Sequence, residues 1–258
     1  MKEFRLKKES GAIIPCVQDI PDDARAVVIM VHGFTSNKLC ATAEVMYRRM
    51  PEAGIGVVTY DQPGHGPDEA KDDELRIANC IDSLRTVEEY VHNNYPDKEI
   101  FYFSSSFGAY ITGLYISEHE HRGTKAFFRS AAVIMPQLIL GKDLKITDPE
   151  MIRQLEETGY VIADLGLGSS MKLPKGFADD LVLNDLFKKF DRDRYGHTEV
   201  KMIHGELDPV VPMKYAKMFA DMQHIDFIVM EGEGHSICTN PESPDIVMNH
   251  AIEFFEIS

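Results

Sequence analysis

The segment YFSSSFGAYITG, residues 102–113, ends an apolar run in three successive serines, Ser104, Ser105 and Ser106, and then takes up a helix-like pattern. A strand that breaks at small polar residues and restarts as a helix reads as a strand-to-helix turn. The letters leave two readings of the serines open: small residues that mark the turn, or a nucleophile presented at the end of a strand. The rest of the chain has to supply the context.

Working outward, short β-branched or aromatic runs recur: AVVIMVHG at 26–33, GVVTYDQ at 56–62, EIFYFSS at 99–105, AAVIMP at 131–136, VKMIHG at 200–205 and DFIVMEG at 226–232. Each reads as a buried strand. Between them lie segments with helical spacing, ATAEVMYRRMPEAG, DELRIANCIDSLRTVEEYVHNNY and SPDIVMNHAIEFFEIS. Strands that are apolar throughout and alternate with helices predict an α/β fold, a mostly parallel central sheet covered on both faces. EFRLKK and AIIPCVQDI, joined through Ser10-Gly11, predict two antiparallel strands added at the sheet edge.

Residues 137–190 hold far more chain than an ordinary connection and predict a small cap insertion between a first core segment, 1–136, and a second, 191–258. Within the insertion Asp148 can cap a helix, Pro149 suits its first position, MIRQLEET follows and Gly159 can end it. FADDLVLNDLFKKF predicts a second helical stretch. The glycine-rich DLGLGSS at 164–170 opens no strand-to-helix phosphate loop and reads as a cap loop.

A chain of 258 residues with 44% hydrophobic content can bury one large core. No apolar stretch approaches the roughly 18 residues needed to span a bilayer, and MKEFRLKKES leads into no apolar export segment, so neither insertion nor export is expected. Cys16, Cys40, Cys80 and Cys238 are scattered with no C-x-x-C pair, which favours reduced thiols and a cytoplasmic setting. The formal net charge of −15 repels phosphate backbones and anionic lipid, so neither nucleic acid nor membrane is an expected partner. The acidic run DEAKDDE at 68–74 reads as a solvated face ahead of a helix. Homodimerisation stays open.

In a parallel sheet the loops at the carboxyl ends of strands gather in one crevice. Three such ends carry candidate chemistry: S-S-S-F-G after EIFYF, G-E-L-D-P after VKMIH, and E-G-E-G-H-S after DFIVM. A serine becomes a nucleophile at neutral pH when an imidazole takes its proton and a carboxylate orients that imidazole. Ser106, His235 and Asp208 supply those groups.

With HGF at 32–34, DQPGHG at 61–66, SSSFG at 104–108, GELDPVVP and GEGHS, the chain resembles an α/β-hydrolase over nearly its whole length. The resemblance implies a nucleophile elbow with Ser106 at its centre, Gly108 two residues later and Phe107 opening the helix. Ser104 stands where the family's first glycine belongs, and Ser105 is expected to point away from the elbow. The resemblance further implies Asp208 and His235 as acid and base, in the family's chain order, and the backbone N–H groups of Phe34 and Phe107 as the oxyanion hole, with Gly33 letting the HGF turn approach. Glu206 is left as a loop carboxylate and His65 as a structural histidine, while His119 and His121 fall on a predicted helix, facing different ways.

The implied activity is carboxylic-ester hydrolysis through an acyl-enzyme, needing neither metal nor organic cofactor, on a small-molecule ester. Size, edge strands and a modest insertion are similar to cinnamoyl or feruloyl esterases, with monoacylglycerol-lipase-like esterases, thioesterases, serine peptidases and a non-catalytic binding protein as alternatives. Tyr160, Leu165, Leu167 and Phe177 are candidates to wall an acyl or aryl pocket, or to form the cap's own small core.

Overall fold

The computed structural model describes residues 1–67, 70, 73–144, 146–164, 170–191 and 197–256. Its third strand, β3 (Ala26–Val31), shows how apolar patterning builds the molecule. Successive side chains of a strand point to opposite faces. Val27, Ile29 and Val31 therefore enter one core, and Ala26, Val28 and Met30 enter another. The first core is closed by α2 (Ile77–Asn94), α3 (Phe107–Glu118) and α8 (Met213–Met222), and the second by α1 (Ala41–Arg49) and α9 (Ser243–Glu256). Each fully buried large apolar side chain contributes roughly 1.5–3 kcal/mol, which explains why β3, buried on both faces, carries no polar residue.

The eight-stranded sheet has the order β1-β2-β4-β3-β5-β6-β9-β10. Here β1 is Lys2–Lys7, β2 Ile13–Asp19, β4 Ile55–Tyr60, β5 Glu99–Ser105, β6 Lys125–Arg129, β9 Glu199–Gly205 and β10 Asp226–Met230. Strands β1 and β2 are antiparallel at one edge, and β4 through β10 run parallel. Among the described residues no helix is long and apolar enough to cross a membrane.

One predicted strand is wrong. The run AAVIMP is buried without being a strand, and the sheet instead takes Lys125–Arg129, KAFFR. Ser130, at φ 48°, turns the chain out of the sheet, Ala131 to Val133 pack into the first core, and α4 (Met135–Leu140) begins over Pro136. Burial makes a run apolar whatever its backbone, and KAFFR was obscured by a cation at each end.

Between β6 and β9 the chain forms α4, α5 (Pro149–Thr158), a separate antiparallel pair of β7 (Tyr160–Asp164) and β8 (Ser170–Pro174), α6 (Lys175–Leu183) and α7 (Leu186–Lys189). The capped start of α5 is as expected: Asp148 accepts from the amides of Glu150 and Met151, and Gly159 ends the helix at φ 77°. The stretch from 177 to 190 is two helices, because Asp185 caps a fresh start by accepting from Phe187 N. Most of the DLGLGSS loop lies outside the described residues. From the acidic run, Asp73 accepts from the buried Lys8 ammonium at 2.5 Å, so it is a partly buried ion-pair partner and not a freely solvated carboxylate. His119 and His121 also depart from expectation: α3 stops at Glu118, and His121 lies in the following loop, stacked on His197 with ring centroids 4.5 Å apart.

Candidate active site

Ser106 sits between β5 and α3 at φ 52° and ψ −114°, a backbone conformation that non-glycine residues rarely adopt. The turn holds because its peptide groups are tied to the end of β6: Ser106 N donates to Arg129 O at 2.9 Å, and Ala132 N donates to Ser106 O at 3.1 Å. Gly108 is required for close approach, since a Cβ there would lie 2.1 Å from Val31 O. The three serines now separate. Ser104 is buried, its hydroxyl bonded to Thr112 Oγ1 of α3 at 2.8 Å, which uses the family's glycine position as a strand-to-helix tie. Ser105 turns to the opposite face and accepts from Arg129 Nε at 3.1 Å. Ser106 Oγ lies 2.9 Å from His235 Nε2.

His235 follows β10, and its Nδ1 lies 2.7 Å from Asp208 Oδ2. A carboxylate only accepts, so Nδ1 carries the proton and Nε2 is left to accept from the serine hydroxyl. Asp208 follows β9; its other oxygen accepts from the amides of Val210 and Val211 at 2.8 and 2.9 Å. Burial alone would raise the Asp208 pKa, but donation from His204 and His235 outweighs it and holds the carboxyl well below the usual carboxylate range. Asp208 is therefore an anion hydrogen-bonded to His235, and Glu206 instead accepts from Gly232 N at 3.0 Å on the surface.

His204 was missed. It lies near the end of the run VKMIHG, fully buried, with Nε2 at 3.0 Å from Asp208 Oδ2, and the available signal was a histidine in a mostly apolar strand four residues before the acid. The last residue of β6 and the one after it were also passed over: Ser130 Oγ donates to His235 O at 2.7 Å, and Arg129 Nη1 donates to Ser236 O at 2.7 Å. Together they clamp the loop that carries the imidazole. Glu233 closes the far side of that loop, accepting from Thr239 N, Asn240 N and Ser243 Oγ.

On the other side, the HGF turn is braced by the DQPGHG loop. Gln62 N donates to His32 Nε2 at 3.1 Å, which puts the His32 proton on Nδ1, where it is given to Gly33 O at 2.8 Å. Asp61 accepts from the backbone and the ammonium of Lys38, both at 2.7 Å. His65 is buried, bonded through Nδ1 to Pro63 O and stacked on Phe107 with centroids 6.0 Å apart. Among the described residues neither Phe34 N nor Phe107 N donates to a protein acceptor.

A cavity of about 410 Å³ opens at Ser106 and His235, lined also by Gly33, Phe34, Arg129 and Cys238. Phe177 is not among its walls; the ring is fully buried and packs against Phe34 and Phe107, at 5.9 Å from each. Tyr160 carries Lys172 over its ring at 4.2 Å and does not line the cavity either. Leu165 and Leu167 lie outside the described residues.

Residues 22–179 match the family profile described as "Serine aminopeptidase, S33". The chain belongs to this family of α/β-hydrolases. The S33 match takes in the elbow serine and stops before Asp208 and His235. Solved structures with the same fold include Est1E from Butyrivibrio proteoclasticus with ferulic acid bound, at 18% identity, TM-score 0.79, and coverage of 98% of this chain and 99% of that one. The mouse alpha/beta hydrolase domain-containing protein 10 aligns at 13% identity and TM-score 0.73 over 100% of both chains. The esterase domain of a Rhodothermus marinus protein aligns at 16% identity and TM-score 0.70 over 98% of both. No curated protein matches this S33 member.

Proposed function

We propose that the protein is a serine ester hydrolase of the carboxylesterase type, using Ser106 as nucleophile, His235 as general base and Asp208 as the group that orients and stabilises the imidazolium. The observation that supports it is the unbroken chain of short contacts from Asp208 Oδ2 through His235 to Ser106 Oγ, at 2.7 and 2.9 Å. His235 Nε2 takes the hydroxyl proton as Ser106 Oγ bonds to the ester carbonyl carbon, and the carbonyl electrons move onto its oxygen. The amides of Phe34 and Phe107 are the proposed donors to that oxyanion. Collapse expels the alcohol, which receives the proton from His235, and leaves an acyl-serine. Water then repeats the sequence and releases the acid, so the cycle closes with the same three side chains.

The substrate class is a small acyl ester, with hydroxycinnamoyl esters the specific expectation and long-chain monoacylglycerols and thioesters the alternatives. The 137–190 segment acts as the cap over this site. The family's description raises an aminopeptidase reading, but such an enzyme has to hold a substrate ammonium, and among the described residues the cavity is lined by Arg129 and by neither Asp nor Glu. A fluorophosphonate should label the wild type and not Ser106→Ala; absence of wild-type labelling would point to a binding protein that keeps the fold. A panel of short acyl, long acyl and hydroxycinnamoyl esters then reads specificity, a tenfold preference corresponding to about 1.4 kcal/mol of transition-state binding.

A further inference from the structure

Arg129 is the last residue of β6 and pairs in register with Ser105, the neighbour of the reactive serine. Its Nε donates to Ser105 Oγ and one Nη1 hydrogen goes to Ser236 O. Both acceptors are uncharged. A guanidinium has five N–H donors and keeps its charge at any physiological pH, so three donors remain for whatever enters the cavity. Among the described residues no carboxylate pairs directly with it, and no acidic residue lines the cavity it faces. Arg129 is partly buried at the cavity wall, and burial lowers its pKa against the opposing charge of the more distant Asp208. A partly desolvated charge gains from a counter-ion brought into direct contact with it. A clamp on the His235 loop would need only a neutral donor, so the retained charge calls for a separate explanation.

We propose that this cavity binds an ester carrying a second, free carboxylate, with Arg129 as its counter-charge. The proposal rests on the ester-hydrolase reading above. Ser105, Ser106 and Arg129 line the same cavity, so the guanidinium and the carbonyl that Ser106 attacks share one space. A cavity of about 410 Å³ accommodates half-esters of short dicarboxylic acids, which carry the ester and the carboxylate on one small molecule.

The test compares monoethyl glutarate with ethyl glutaramate, its uncharged amide of nearly the same shape, by acid release at constant pH. The wild type should show a kcat/KM at least tenfold higher for the half-ester. Arg129→Gln should abolish that preference, and Arg129→Lys should keep part of it. A purely structural arginine would lower both rates together and leave their ratio unchanged, which would overturn the proposal, as would a wild type that does not distinguish the two. Glutarate binding, measured by calorimetry on wild type and Arg129→Gln, needs no turnover. If neither ester is cleaved and no fluorophosphonate label appears, yet glutarate binds only the wild type, the anion site stands and the esterase reading falls; if glutarate does not bind, the anion site falls. Should Arg129→Gln fail to fold, the wild-type ratio and Arg129→Lys still decide.

Discussion

His204 Nε2 lies 3.0 Å from Asp208 Oδ2, the same carboxylate oxygen that receives His235 Nδ1. The other neighbour of that nitrogen is Val211 O, at 2.9 Å. Both are acceptors, so Nε2 carries the proton, and Asp208 is held between two imidazoles, one buried and one facing the cavity. Replacing His204 by Phe keeps a planar ring at slightly larger volume and removes the donor. A hydrogen bond to a charged group is worth about 1.5–3 kcal/mol, so kcat/KM should fall roughly 10- to 100-fold, with the fold retained. Steady-state kinetics alongside the rate of fluorophosphonate labelling would check it, and unchanged kinetics would remove His204 from the site.

The serine assignment makes a sharp contrast between neighbours. Ser106→Ala should lower kcat by about 10⁴-fold or more, whereas Ser104→Ala should keep turnover and cost about 1 kcal/mol of stability through the lost bond to Thr112. Turnover lost in Ser104→Ala and kept in Ser106→Ala would reverse the register.

Gly108→Ala places a methyl group against the backbone of β3, 2.1 Å from Val31 O. Backbone cannot swing aside as a side chain can, so either α3 lifts from the sheet or the elbow deforms. The expected outcome is a strong loss of stability, more than about 3 kcal/mol, or failure to accumulate in soluble form, read by the denaturation midpoint and yield.

Stability should fall on mild acidification. Burial pushes His32 down to about 4 and His65 down to about 3, so both stay neutral in the folded protein at pH 5. In the unfolded chain they take up protons below about pH 6.5, so the unfolded state binds more protons in that window. The contribution is complete above about pH 6.5 and is lost as pH falls towards 4, with a slope approaching ~1.4 kcal/mol per pH unit for each histidine. Asp208 adds a loss of the same sign at lower pH, because its carboxyl is held well below the ordinary carboxylate value. Urea midpoints at pH 5, 6, 7 and 8 measure this; a midpoint that stays level down to pH 5 would contradict it.

Local sequence was enough for β3, β4, β5, β9 and β10, the edge hairpin, the Asp148-capped helix, and the order of serine, acid and histidine along the chain. These follow from patterns of period two and 3.6 and from turn chemistry, which neighbouring residues impose on one another. AAVIMP failed because burial by distant elements makes a loop as apolar as a strand. The pairing of His204 with Asp208, the grip of Arg129 and Ser130 on the His235 loop, and the placing of Phe177 in the core and not on the cavity wall were decided by tertiary structure alone. Each depends on segments brought together by strand order, from residues 106, 129, 204 and 235, and a hydrogen bond or a burial between such segments leaves no periodic trace in the residues that make it.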